Sequence, residues 1–200
     1  MTQASSERDL RMVAERCAVV LIDYQAKLMP AMHAPERVIA RTDLVAGAAQ
    51  LLGVPVLATE QNPSRLGGTV APLDGRLDAV LDKMHFGAVE AGVAARVDEL
   101  AAARSGGPGE AVDFVVSGCE AHVCLAQTAL GLLELGRRVW VVADACGSRR
   151  PTDHDAAMRR LAAAGAGVVT SEMVVFEWLN SCENEHFKAV SALVKATPLD

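Results

Sequence analysis

The chain is expected to fold as an α/β protein: a doubly wound three-layer sandwich around a mostly parallel sheet of about six strands, in the order 3-2-1-4-5-6. Three observations predict it. Short continuous apolar runs recur, as in residues 17–22 and 139–143, and such runs suit strands covered on both faces. Segments with apolar residues at helical spacing separate them, the alternation from which right-handed crossovers and a parallel sheet follow. The 200 residues are 51% hydrophobic, enough to bury one core, so residues 1–200 are read as a single domain.

In chain order, the polar segment up to Arg16 reads as a short helix at the domain edge. Residues 17–22 form the first strand and end at the carboxylate of Asp23. A turn-like stretch over 24–35 precedes a helix over 36–52, which Gly53 stops. Residues 54–59 are the second strand, with Pro55 near its start, and 60–69 a loop. Residues 79–85 are a weaker third strand, interrupted by Asp82 and Lys83. A helix over 89–103 and a Gly/Pro loop over 105–109 follow.

Residues 112–118 are the fourth strand, ending at Gly118, and a helix over 122–135 closes at Gly136. Residues 138–143 are the fifth strand, followed by Asp144. Thr152 with Asp155 resembles a capping box for a helix over 153–164. A short last strand over 167–170 leads to Ser171, expected to cap a helix to Leu179, and an amphipathic helix spans 183–195.

Charge and composition exclude several classes. A net charge of −6 with 19 scattered basic residues offers no stripe for a phosphate backbone, so nucleic acid is not an expected partner. The apolar runs are too short to span a bilayer and the polar N-terminus does not read as a signal peptide, so no membrane partner is expected. Five irregularly spaced cysteines do not form a disulfide framework and fit a reducing cytoplasm.

The chemistry gathers at one edge of the sheet. In the expected order the first and fourth strands adjoin at the switch point, where ligands bind beside the carboxyl ends. Asp23 ends the first strand, Lys83 the third, and Cys124 follows the fourth at a helix start, which favours a thiolate and a developing oxyanion. Asp23 could take the thiol proton, Lys83 could hold the carboxylate, and the backbone N–H groups of Glu120 and Cys124 could receive an oxyanion. That set suits acyl transfer to water. It also leads us to expect that Cys124 is alkylated fastest near neutral pH.

These residues resemble the isochorismatase-like cysteine hydrolases over nearly the whole chain. The marks are Leu-Ile-Asp-Tyr-Gln at 21–25, Asp82-Lys83 with Phe86, Ser-Gly-Cys-Glu-Ala-His-Val-Cys at 117–124 and Gln127-Thr128-Ala129. Thr-Glu-Gln-Asn-Pro at 59–63, Asp-Ala-Cys-Gly-Ser-Arg at 144–149 and Thr-Ser-Glu at 170–172 resemble its isochorismatase-domain-containing branch. The resemblance implies an Asp23-Lys83-Cys124 triad, a cis peptide between Cys119 and Glu120 that turns the Glu120 N–H into an oxyanion donor, and a homo-oligomer. Metal-dependent nicotinamidases carry histidines after the second strand, where this chain has Glu60, Gln61 and Asn62, so no metal is expected. Isochorismatases proper lack the nucleophilic cysteine, which argues against vinyl ether cleavage here.

The leading expectation is therefore a metal-independent, cofactor-free hydrolase that cleaves an amide or related acyl C–N bond of a small molecule through a Cys124 thioester. Gln25, Leu28, His85, Phe86 and His122 are candidates for the pocket wall, each with an ordinary structural alternative. Asp144 reads as a turn or loop hydrogen-bonding residue. Two other classes stand beside this one: a redox-responsive thiol protein in which Cys119 or Cys146 resolves an oxidised Cys124, and a non-catalytic binding protein that retains the fold. The chain lacks the CxxC spacing that would favour the first, and pure binding would not need all three reactive residues.

Overall fold

The computed structural model describes residues 10–105 and 112–198. Six strands pair in parallel in the order β3-β2-β1-β4-β5-β6: β1 (Cys17–Ile22), β2 (Val56–Gln61), β3 (Ala79–Lys83), β4 (Asp113–Gly118), β5 (Arg138–Val142) and β6 (Gly167–Val169). The expected order is the observed one.

Helices α1 (Pro35–Leu52), α2 (Pro63–Leu66), α3 (Val93–Ser105), α4 (Ala126–Glu134), α5 (Pro151–Ala163), α6 (Ser171–Leu179) and α7 (Phe187–Ala196) complete the fold. α1, α6 and α7 bury their apolar residues on one sheet face, whereas α3, α4 and α5 do so on the other. The period of two along β1 divides its side chains between these layers. Cys17, Val19 and Leu21 enter the first, and Ala18, Val20 and Ile22 the second. This double cover is why β1 and β4 are buried throughout and read as unbroken apolar runs. β3, at the sheet edge, alternates between exposed and covered positions, which accounts for the charges that interrupt it.

The structure corrects several local expectations. The third helix begins at Val93 rather than 89, after Gly92 at φ +89°. β2 runs on to Gln61, so Glu60 and Gln61 are strand residues. The helix expected from His122 is a π turn over Ala121–Leu125 before α4. α5 starts at Pro151 and its N-cap, Arg150, makes no side-chain cap bond; a proline suits the first helical position, so the Thr152/Asp155 box is displaced. Thr170, not Ser171, caps α6, accepting the Met173 N–H at 3.3 Å. The final helix starts at Phe187, not 183. Residues 14–16 form a 3₁₀ turn, while the first nine residues and most of the 105–109 loop lie outside the described residues.

The β1 and β4 ends meet closely. Ile22 pairs with Gly118, and a Cβ at Gly118 would sit 2.6 Å from both the Ile22 Cβ and its carbonyl oxygen. Glycine is required there by this approach. Just beyond, the buried Tyr24 hydroxyl donates to the Ala145 carbonyl at 2.6 Å and accepts from Thr42 at 2.9 Å.

Candidate active site

Asp23 follows β1 in a left-handed conformation, φ +58°, with its N–H on the Thr59 carbonyl at the end of β2. Aspartate tolerates this region better than a branched residue would. Its carboxylate is fully buried. Oδ2 accepts from Lys83 Nζ at 2.6 Å and Oδ1 from the Thr59 hydroxyl at 2.7 Å. The charge of this carboxylate also acts on the neighbouring Cys124 thiol and raises it. The three residues singled out in the sequence thus converge on one another.

Lys83 ends β3 opposite Gln61 of β2. Besides Asp23, Nζ donates to Gln61 Oε1 at 2.9 Å and to the carbonyls of Phe86 and His85 at 3.0 and 3.3 Å. A buried ammonium is tolerated only when its protons are spoken for, and here acceptors from three segments take them.

Burial raises the Asp23 carboxyl above the ordinary carboxylate range, against the pull of Lys83, Thr59 and Cys124. The same desolvation, reinforced by the Asp23 charge, pushes the Cys124 thiol up to about 12, with Lys83 and the Glu120 N–H opposing it. Against the helix-start expectation of a ready thiolate, desolvation here outweighs the favourable charges. The arrangement instead keeps the thiol protonated beside a strengthened base, which suits proton transfer as an electrophile arrives.

The Cys119–Glu120 peptide is cis, as the resemblance implies, and the Glu120 backbone favours the charged form of the Cys124 thiol. The turn is held from a second segment. Gly147 N–H donates to Gly118 at 3.1 Å, and its carbonyl accepts from Ala121 at 2.7 Å. Thr128 donates to the Cys124 carbonyl at 2.8 Å and accepts the Ala88 N–H at 3.1 Å, joining the loop after Lys83 to the helix that follows Cys124.

The pocket candidates divide. Gln25 is fully buried and its amide is committed to backbone: Nε2 donates to Gly67 and Gln61 carbonyls at 2.6 and 3.1 Å, and Oε1 accepts the Gln61 N–H at 2.8 Å. Leu28 packs partly buried against the α1-side core. His85 and Phe86 present exposed side chains, while their carbonyls serve Lys83. His122 is half-buried with Nδ1 3.0 Å from Ser148 Oγ. Asp144, as expected, is structural, accepting the N–H and hydroxyl of Ser171 at 2.7 and 2.6 Å.

Sequence reasoning missed Thr59 and Gln61 as partners of Asp23 and Lys83: Thr59 ends the expected second strand, whereas Gln61 was read as loop and joins β2 only in the structure. It also missed Arg149, whose Nε donates to Glu120 Oε2 at 2.7 Å.

A family model for the isochorismatase domain matches residues 17–173. The chain belongs to the isochorismatase domain family. Isochorismatase domain-containing protein 1 of Salmo salar is 35% identical over 178 residues, covering 88% of this chain and 59% of its own length. The chain thus spans about three fifths of that relative. Isochorismatase domain-containing protein 2A of Mus musculus is 30% identical, covering 92% of this chain and 85% of its own. Among solved structures, the MAR1 ribonuclease of Caenorhabditis elegans superposes with a TM-score of 0.80 at 29% identity, covering 94% of each chain. The Escherichia coli YcaC protein, described as an octameric hydrolase of unknown specificity, shares the fold with a TM-score of 0.79 at 23% identity, covering 94% of this chain and 91% of its own. Among the described residues no helix is long and apolar enough to cross a membrane.

Proposed function

We propose that this chain is one catalytic domain, a metal-independent cysteine hydrolase that cleaves an amide or related acyl C–N bond of a small molecule. The observation that carries the reading is the buried Asp23 carboxylate, bonded by the Lys83 ammonium at 2.6 Å and acting by its charge on the Cys124 thiol. On this reading Asp23 takes the thiol proton as Cys124 sulfur attacks the substrate carbonyl carbon. The oxyanion is received by the Glu120 and Cys124 N–H groups. Collapse breaks the C–N bond, Asp23 returns the proton to the leaving amine, and an acyl thioester remains. Asp23 then deprotonates a water, whose attack releases the carboxylic acid and restores the thiol. Lys83 keeps the carboxylate placed and compensates its charge.

His122, Leu28, His85 and Phe86 are read as pocket wall, and Gln25 as the support beneath it. All five cysteines are free, in keeping with a reducing cytoplasm, and a homo-oligomer is the expected assembly. A panel of small amides and a short RNA, given to wild type and to Cys124→Ala, tests the reading, the RNA because the nematode neighbour is described as a ribonuclease. Amide turnover and a mass increment on the Cys124 peptide are expected only with the wild type. Amide turnover undiminished in Cys124→Ala, or Cys124-dependent cleavage of RNA alone, would overturn it.

A further inference from the structure

The segment after β5 touches the nucleophile's turn at three successive residues. Gly147 bonds Gly118 and Ala121 through its backbone, the Ser148 hydroxyl meets His122 Nδ1 at 3.0 Å, and Arg149 Nε donates to Glu120 Oε2 at 2.7 Å. Glu120 is itself the hub. Its N–H belongs to the cis Cys119–Glu120 peptide, its carbonyl accepts the Val123 and Leu125 N–H groups at 3.0 and 3.3 Å across the turn that carries Cys124, and its carboxylate faces Arg149. The pair is uneven, the Glu120 side chain being 12% exposed and that of Arg149 62%. A surface ion pair of this kind contributes little stability. Its geometric content is larger, since it fixes the side chain of the residue whose N–H is the candidate oxyanion donor.

We propose that Arg149 is a positioning residue for the oxyanion donor: by holding the Glu120 carboxylate it keeps the Glu120 N–H aimed where charge develops in acyl transfer. The inference rests on the hydrolase reading and assigns a role to a residue remote from the reacting atoms. Oxyanion donors act only within a narrow range of placement, so loosening one slows acylation without touching the sulfur.

The test separates two reactions of the same thiol. p-Nitrophenyl acetate acylates Cys124 through a tetrahedral oxyanion, whereas iodoacetamide alkylates it by displacement, with none. Arg149→Gln and the double variant Glu120→Gln/Arg149→Gln are compared with wild type at pH 9, reading p-nitrophenol release above the Cys124→Ala background and alkylation of the Cys124 peptide by mass. The double variant leaves the local net charge unchanged, so its electrostatic effect on the thiol is smaller than that of removing one charge alone. Its acylation rate is expected to fall about tenfold or more, with alkylation within about twofold and an unchanged melting temperature, and Arg149→Lys is expected to recover part of the acylation. Equal losses in both reactions, or none in acylation, overturn the inference while the hydrolase reading stands. Absence of any Cys124-dependent acylation in the wild type overturns that reading and this inference together.

Discussion

Lys83 donates to Asp23 across 2.6 Å with both side chains fully shielded from solvent, so neither charge can be removed without stranding the other. Lys83→Met is expected to cost about 3–5 kcal/mol in urea unfolding. Adding Asp23→Asn should recover at least half of that loss, although both variants would be inactive. A double variant no more stable than Lys83→Met would mean that the pair is not held by its charges.

Because burial pushes the Cys124 thiol up to about 12, the folded protein is expected to keep it protonated at neutral pH. Iodoacetamide at pH 7 should label the exposed Cys182 before Cys124, with Cys124 labelling climbing steeply above pH 9. Peptide mass mapping over time reads this directly, and preferential labelling of Cys124 at pH 7 would contradict it.

Cys17, Cys124 and Cys146 are all raised to about 12, chiefly by burial. A group whose folded pKa exceeds its unfolded value stabilises fully below the unfolded value and loses that stabilisation as pH rises towards the folded one. The protein should therefore weaken between about pH 9 and 12, each thiol contributing a slope of about 1.4 kcal/mol per pH unit. Cys146→Ala is expected to remove one such slope, measured as the difference in unfolding free energy from wild type at pH 8, 9 and 10. A constant difference across that range would refute the assignment.

Thr59→Val keeps shape and deletes the hydroxyl that donates to Asp23 Oδ1 at 2.7 Å. The lost bond to a buried carboxylate should cost about 1–3 kcal/mol. It should also move the acid limb of the pH–rate profile upward, because that bond favours the charged carboxylate. A downward shift, or none, would show that Thr59 does not tune the base.

What was legible in the sequence follows burial. β1 and β4 announced themselves because both faces are covered and polar residues are excluded, and the sheet order followed from the alternation of elements. β3 was faint because an edge strand is covered on fewer sides. Local signals failed where tertiary contacts competed with them. Ser171 has the chemistry of a cap, but its hydroxyl is taken by Asp144 and the neighbouring Thr170 serves instead. The π turn at Ala121–Leu125 has no local signature. Asp23, Lys83 and Cys124 could be named because each sits at a strand end or helix start and carries reactive chemistry. Thr59, Gln61 and Arg149 are ordinary residue types, and their roles appear only once strands and loops are side by side. The thiol's environment was not legible, because burial depth as well as helix position acts on it.

The chain's sole tyrosine, Tyr24, follows Asp23 directly, and burial raises its hydroxyl well above the usual phenol value. In the folded protein this phenol should stay un-ionised at pH values where a free tyrosine has already become phenolate. Ionisation seen in the ultraviolet would then report the opening of the Asp23 neighbourhood. The fold carries a label-free gauge of its own reactive centre, readable without substrate.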